Sequence, residues 1–144
     1  MAEAVFRHLA SRRLGCTVEE LRGQGIDTVS AGVAAGDCSP ASPEAIELLR
    51  ERGIDLSDHL SQQVTSDILS ESDRIFVMTG DHLRMLQSAR PDLSGRMELL
   101  RRDGRDVSDP IGCSPEYYRA CADELTSAIQ TIIQEIFEKD TDVK

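Results

Sequence analysis

Asp109 lies directly before Pro110 in the segment SDPIG, just ahead of the last predicted helix. The proline disfavours helical geometry at Asp109, so we expect its carboxyl group to sit in a loop. An aspartate in such a position is often no more than the first residue of a turn. A carboxylic acid held in a loop can also protonate a leaving group. The dipeptide alone leaves both interpretations open.

The cysteines are the second group of residues that could take part in a reaction or bind a metal. No two of them form a Cys-x-x-Cys pair, which argues against a zinc site and against a disulfide framework. We therefore predict no metal and no other cofactor. The four cysteines are Cys16, Cys38, Cys113 and Cys121.

Two stretches place an arginine six residues after a cysteine, a spacing that could bind a phosphate: CTVEELR from Cys16 and CSPEYYR from Cys113. A loop that wraps a phosphate needs small residues so that its amides can converge. The first stretch carries two glutamates, which repel an anion. The second contains Pro115, which has no amide hydrogen, and runs into a predicted helix. We expect neither cysteine to be a nucleophile.

The elements that must position these residues alternate between helix and strand, which is typical of an α/β protein with a parallel sheet. Capping residues and hydrophobic periodicity predict most of the helix ends. The predicted elements are a helix over Ala2–Leu14, a strand near Asp27–Ser30, a helix from Pro43 to about Gly53, a helix over Ser66–Glu71, the strand RIFVMT, the helix GDHLRMLQSA, the strand RMELL and a last helix from Ser114–Pro115 to about Phe137.

Composition excludes several classes of protein. The 144 residues are the length of one domain, and a net charge of −10 argues against a nucleic-acid surface. No apolar run approaches the roughly 20 residues of a membrane span. No signal peptide is visible at the start of the sequence, so we expect a cytoplasmic location.

Three segments together resemble the low-molecular-weight protein tyrosine phosphatases, in order and over nearly the whole chain. They are MAEAVFRHL at the start, VSAGVAAGDCSPASPEAIELLRERGIDLSDHLSQQVTSDILSESDRIFVMT in the middle, and SDPIGCSPEYYRACADEL near the end. The short DPIG loop is most similar to bacterial members, which include the protein arginine phosphatases. The resemblance implies a three-layer fold with helices on both faces of a parallel sheet, in the flavodoxin-like strand order 2-1-3-4.

The resemblance also implies that the family's first elements are missing from this sequence. Members begin with a central strand and a Cys-x5-Arg-Ser phosphate loop, and Met1 falls where that loop has just ended. A strand of five or six residues plus the loop corresponds to about 15 residues. We therefore expect residues 1–144 to be a single, N-terminally incomplete domain that lacks the nucleophile and is inactive alone.

The resemblance assigns roles to four residues of this sequence. Asp109 matches the general acid, which protonates the leaving oxygen and later activates water. Ser30 and His59 match positions that brace the phosphate loop. Ile111 stands where many members place an aromatic wall against the substrate, which weakens the case for phosphotyrosine. The implied partner is a phosphorylated protein, and no oligomeric state follows.

Three functions remain open from the sequence. The first is a phosphomonoester hydrolase that acts on phosphotyrosine or phosphoarginine proteins through a cysteinyl phosphate. The second is an arsenate reductase of the same fold, which would need resolving cysteines such as Cys113 and Cys121. The third is a non-catalytic pseudophosphatase that binds a partner through exposed strand edges.

Overall fold

The computed structural model describes residues 1–33, 36 and 38–142. Within them the chain forms five α-helices, two β-strands and two short 3-10 helices. The α-helices are α1 (Ala2–Leu14), α2 (Pro43–Glu51), α3 (Ser66–Glu71), α4 (Gly80–Ala89) and α5 (Pro115–Asp142); the strands are β1 (Ile75–Val77) and β2 (Met97–Leu99); the 3-10 helices are Leu21–Gln24 and Pro91–Arg96.

Local capping chemistry explains why these helices begin and end where they do. The side chain of Ser42 accepts a hydrogen bond from the Ala45 amide at the start of α2, and Thr65 does the same for Ile68 in α3. Gly15 ends α1 in the left-handed conformation, with φ at 68°. The boundaries predicted for α1 and α3 are confirmed.

The sheet of the described residues is a parallel pair of short strands. Ile75 of β1 lies opposite Met97 of β2, and Val77 lies opposite Leu99. The pairing continues one step further, because the amide of Leu100 donates to the carbonyl of Val77 at 2.9 Å. This pair confirms the strands expected in RIFVMT and RMELL.

The strand expected near Asp27–Ser30 does not form, and that prediction is wrong for the described residues. A strand exists only through hydrogen bonds to a neighbouring strand, and residues 26–31 have no ladder partner among the described residues. The chain is tied to a neighbour just beyond them, by an isolated parallel bridge between Gly32 and Gln63. The strand order 2-1-3-4 therefore remains a prediction.

Helices cover both faces of the sheet, as expected for this α/β fold. Ile75 and Val77 pack on one face against Leu69 and Leu86, which belong to α3 and α4. Side chains of neighbouring strand residues point to opposite faces. Phe76 accordingly packs on the other face, against a core built by α1, α2 and α5. That core includes Val5, Leu49 and Ile129.

Four charged side chains form a network of ion pairs between the sheet and α5. Arg102 donates to Glu98 at 2.8 Å and to both carboxylate oxygens of Glu135, and Arg74 donates to Glu98 at 2.6 Å. The guanidinium of Arg74 lies 4.9 Å from the centre of the Phe76 ring, and that of Arg102 lies 5.9 Å from it. The network therefore also covers the edge of the main core.

Candidate active site

The loop that follows β2 carries Asp109 in a tight turn. The Asp109 carboxylate accepts a hydrogen bond from the Ile111 amide at 3.0 Å, and the Cys113 amide donates to the Pro110 carbonyl at 2.9 Å. Gly112 follows at φ 78°, a conformation that glycine adopts without strain. Asp109 is exposed. An exposed carboxyl group in such a turn can be reached by a bound molecule and can donate a proton to it.

Two contacts fix this loop to the sheet side of the domain. The amide of Val107 donates to the carbonyl of Met78 at 2.8 Å, just past the end of β1. The carboxylate of Asp106 accepts from the Gly80 amide, at the start of α4, at 2.9 Å. Asp109 therefore lies beyond the carboxyl ends of the parallel strands, where open α/β folds bind their ligands.

A third contact fixes the loop to α5. The Cys121 thiol donates to the Ser108 carbonyl across 3.4 Å. Burial raises the pKa of this thiol, Glu124 and Asp109 raise it further, and the Met1 amine opposes them. The thiol is thus protonated at neutral pH.

Ser30 lies against the first turn of α1. Its hydroxyl donates to the Glu3 carboxylate at 2.6 Å, and its backbone carbonyl accepts from the Gln62 side chain at 3.0 Å. An acidic residue in the first turn is favoured by the helix dipole. Ser30 is therefore held at the first turn of α1 by Glu3 and at the chain around Gln62 by its carbonyl.

His59 lies in the loop between α2 and α3 and is half-buried. Its amide donates to the Leu56 carbonyl at 3.2 Å. The loop reaches the chain around Ser30 through Gln62, whose own carbonyl accepts from the Gly32 amide at 2.9 Å. None of the contacts described joins the His59 side chain to Ser30 or Asp109, so its bracing role stays a prediction.

Ile111 is 74% exposed at the tip of the loop that carries Asp109, which we call the acid loop. It offers a small aliphatic surface next to Asp109, and its role as a wall for the substrate stays a prediction. In the part of the chain that is described, no three His, Cys, Asp or Glu side chains are grouped so that they could hold a metal ion.

The two Cys-x5-Arg stretches take helical or turn conformations. Cys113 lies in the exposed turn before α5, and Arg119 lies on α5 itself. Arg22 lies in a 3-10 helix and pairs with Asp27 at 3.5 Å. A helix directs its amides along its own axis, so neither stretch wraps them around one anion.

A family model described as low molecular weight phosphotyrosine protein phosphatase matches residues 1–142. The chain belongs to this family. Its α/β fold, a parallel sheet with helices, is that of a low molecular weight phosphatase.

Curated relatives of this family member include two kinds of phosphatase. The probable low molecular weight protein-tyrosine-phosphatase EpsP of Ralstonia nicotianae is 37% identical over 87 residues, which is 60% of each chain. The chain thus matches less than two thirds of that relative. The protein-arginine-phosphatase of Bacillus subtilis is 29% identical over 140 residues, 94% of this chain and 87% of the relative.

Solved structures of the family agree with this fold. The low molecular weight protein tyrosine phosphatase of T. tengcongensis is 33% identical and superposes with a TM-score of 0.80, over 93% of this chain and 88% of that one.

An arsenate reductase of Staphylococcus aureus is also similar in sequence, at 27% identity over 112 residues, which is 78% of each chain. No helix in the described residues is long and apolar enough to cross a membrane.

Two residues of the candidate site could not be identified from the sequence. Glu3 receives the Ser30 hydroxyl, and Cys121 holds the loop of Asp109. Their partners lie 27 and 13 residues away along the chain, so no local pattern links them. The only signal in the sequence was the match of Ser30 and Asp109 to one family.

Proposed function

We propose that residues 1–144 form one domain of a phosphomonoester hydrolase, with Asp109 as its general acid. Its substrates are phosphotyrosine or phosphoarginine proteins, and the reaction passes through a cysteinyl phosphate. The observation that carries the proposal is the anchored loop that holds Asp109 beyond the carboxyl ends of β1 and β2. The family match supports phosphate-ester chemistry as the reaction in which this carboxylate would act.

In the first step a cysteine thiolate attacks phosphorus and the bond to the leaving oxygen or nitrogen breaks. Asp109 gives its proton to that leaving atom, which would otherwise depart as a poor anion. In the second step the Asp109 carboxylate takes a proton from water as the water attacks phosphorus. The sulfur–phosphorus bond then breaks, which releases phosphate and regenerates the thiolate. Ser30 and His59 brace the loop that binds the phosphoryl oxygens.

Ile111 bears on the choice of substrate. An aliphatic side chain cannot provide the offset stacking that an aromatic wall gives to a phosphoaryl group. The flexible aliphatic stem of a phosphoarginine needs no such stacking. Ile111 therefore supports phosphoarginine proteins as the better substrate of the two.

The nucleophile is not among the four cysteines of this sequence. Cys121 is buried and its raised pKa keeps it protonated, whereas a nucleophilic cysteine needs a lowered pKa. Cys16 is followed by a turn and a 3-10 helix, and Cys113 by the start of α5. Cys38 has Glu44 rather than an arginine six residues later. We therefore propose that residues 1–144 alone do not turn over substrate.

The test compares residues 1–144 with a chimera that carries, before Met1, the strand and the Cys-x5-Arg-Ser-Pro loop of the B. subtilis protein-arginine-phosphatase. Residues 1–144 should hydrolyse para-nitrophenyl phosphate no faster than their own Asp109→Asn variant. The chimera should gain turnover, and Asp109→Asn in the chimera should lower it about 100-fold or more for poor leaving groups. Phosphoarginine and phosphotyrosine peptides then rank the two substrate classes.

The control is Asp123→Asn, which removes a carboxylate from the exposed side of α5, where it pairs with Arg52 at 2.9 Å. This variant should leave turnover of the chimera unchanged. Turnover by residues 1–144 that is abolished when Cys113 is alkylated would refute the assignment of the nucleophile. A folded chimera without turnover would favour a non-catalytic, partner-binding protein.

The similarity to an arsenate reductase supports a second candidate function. Reduction of arsenate to arsenite takes two electrons, which two thiols supply as they join in a disulfide. Cys113 is exposed, but Cys121 is buried and bonded to Ser108, so the pair is poorly placed for this. Loss of titratable thiols from the chimera on adding arsenate would favour reduction over dephosphorylation.

A further inference from the structure

Cys121 stands in the second turn of α5, in the main core, and is 6% exposed. Its sulfur lies 3.4 Å from the Ser108 carbonyl oxygen, within the range of a thiol hydrogen bond. A thiol is a weak donor, so the bond contributes little to the stability of the whole domain. Its importance lies in where the acceptor is, because Ser108 directly precedes Asp109.

The loop around Asp109 has few other attachments to the body of the domain. On the sheet side the Val107 amide is bound to the Met78 carbonyl, and the Asp106 carboxylate accepts from the Gly80 amide. Beyond Asp109 the hydrogen bonds are internal to the turn, from Ile111 to the Asp109 carboxylate and from Cys113 to the Pro110 carbonyl. The bond from Cys121 therefore sets the orientation of the peptide group that joins Ser108 to Asp109.

We propose that Cys121 is a positioning residue for the general acid, whose thiol holds the Ser108 carbonyl and so fixes the direction of the Asp109 side chain. The proposal rests on the proposed function for its catalytic meaning. Only the protonated thiol can donate this bond, since a thiolate would repel the carbonyl oxygen. The raised pKa of the buried thiol agrees with a donor and opposes a role as nucleophile or resolving cysteine.

The first experiment measures the order of the acid loop in residues 1–144, which needs no catalysis. Amide hydrogen exchange of Ile111 and Cys113 is followed by NMR in the parent, in Cys121→Ala and in Cys121→Ser. Loss of a weak hydrogen bond should speed exchange at these two amides about threefold. The serine hydroxyl is also a donor, so Cys121→Ser should restore the parent rates.

Two further variants separate positioning from packing. Cys121→Val fills the site with an apolar side chain that cannot donate a hydrogen bond, and it should speed exchange at both amides about threefold. It keeps the test valid if the alanine variant does not fold. Cys16→Ala removes a half-buried thiol at the other end of the main core and should leave both amides unchanged. Unchanged exchange in Cys121→Val, or equal effects in Cys16→Ala, would overturn the proposal.

The second experiment uses the catalytic chimera and a readout that a merely structural role would not move. A misplaced acid harms poor leaving groups more than good ones, since only poor ones need the proton. The ratio of kcat/KM for phenyl phosphate to kcat/KM for para-nitrophenyl phosphate, which reports the step that expels the leaving group, should fall about threefold in Cys121→Val and recover in Cys121→Ser. An unchanged ratio would refute positioning. An inactive chimera would defeat the proposed function and leave the exchange experiment as the decisive test.

Discussion

Arg102 offers a quantitative test of what holds the sheet to α5. Its guanidinium donates to Glu98 at 2.8 Å and to Glu135 at 2.9 Å through Nε, and it covers the Phe76 ring. Replacing Arg102 by Met keeps an apolar stem of similar shape over the ring. It removes the charge and leaves Glu98 and Glu135 with only Arg74 to offset their repulsion.

The size of the effect follows from the geometry. An ion pair open to water contributes about 0.2–1 kcal/mol because solvent screens it. Arg102 makes two such pairs in a network, one of them bidentate, and its side chain is only 30% exposed. Together with the lost ring contact, we expect Arg102→Met to lower the free energy of unfolding by about 2 kcal/mol. For a domain of this size that corresponds to a fall in Tm of about 6 °C.

The stabilising effect of Arg102 should depend on pH, in a direction set by the pKa values of its two carboxylate partners. Hydrogen bonding to Arg102 lowers the pKa of Glu135 in the folded protein. Partial burial, which alone would raise the pKa of Glu98, is outweighed by its bonds to Arg102 and Arg74, so that pKa is lowered too. Carboxylates with lowered folded pKa values stabilise the protein above their unfolded pKa, and this stability is lost as the pH falls through the folded value. The difference between parent and Arg102→Met should therefore be full at pH 7 and shrink below about pH 4.

Thermal and urea unfolding from pH 3 to pH 7 measures this difference. Arg105→Met is the matched control, because Arg105 is 77% exposed and its ion pair with Asp103 spans 3.6 Å. The control should change the free energy of unfolding by less than about 0.5 kcal/mol. Equal losses in the two variants, or a difference that persists at pH 3, would show that apolar packing rather than charge holds α5 here.

Two more measurements of stability follow from burial and capping. Ile129→Ala should lower the free energy of unfolding by about 2–5 kcal/mol, since Ile129 is 1% exposed in the main core. Its control, Ile111→Ala at the exposed loop tip, should change that free energy by less than about 0.5 kcal/mol. Thr65→Ala should cost about 1 kcal/mol through loss of its bond to the Ile68 amide, whereas Thr131→Ala, within α5, should be neutral or stabilising. Urea unfolding of the four variants checks both, and equal effects within either pair would contradict the reasoning.

Helix boundaries were predictable because their causes are local. Ser42, Thr65 and Gly15 each act on residues within a few positions of themselves, so the sequence around them contains the whole cause. A strand has no such local cause. The segment Asp27–Ser30 has a pattern that suits a strand, but a ladder needs a neighbour, and the pattern says nothing about whether one lies alongside.

The same distinction applies to the candidate site. Asp109 could be identified because a proline fixes its loop and because one family shares the motif. The bonds that orient it come from Met78 and Cys121, which belong to other elements. For Cys121 in particular, nothing within its own helix turn shows that the Ser108 carbonyl lies within hydrogen-bond distance.

The contacts that orient Asp109 all come from residues of this chain: the Met78 carbonyl, the Gly80 amide and the Cys121 thiol. None of them involves a phosphate-binding group. We predict that these three contacts are sufficient to hold the loop of Asp109. It follows that adding a nucleophile should require no rearrangement of the acid loop, and that the exchange rates of the Ile111 and Cys113 amides should be the same in residues 1–144 and in the catalytic chimera.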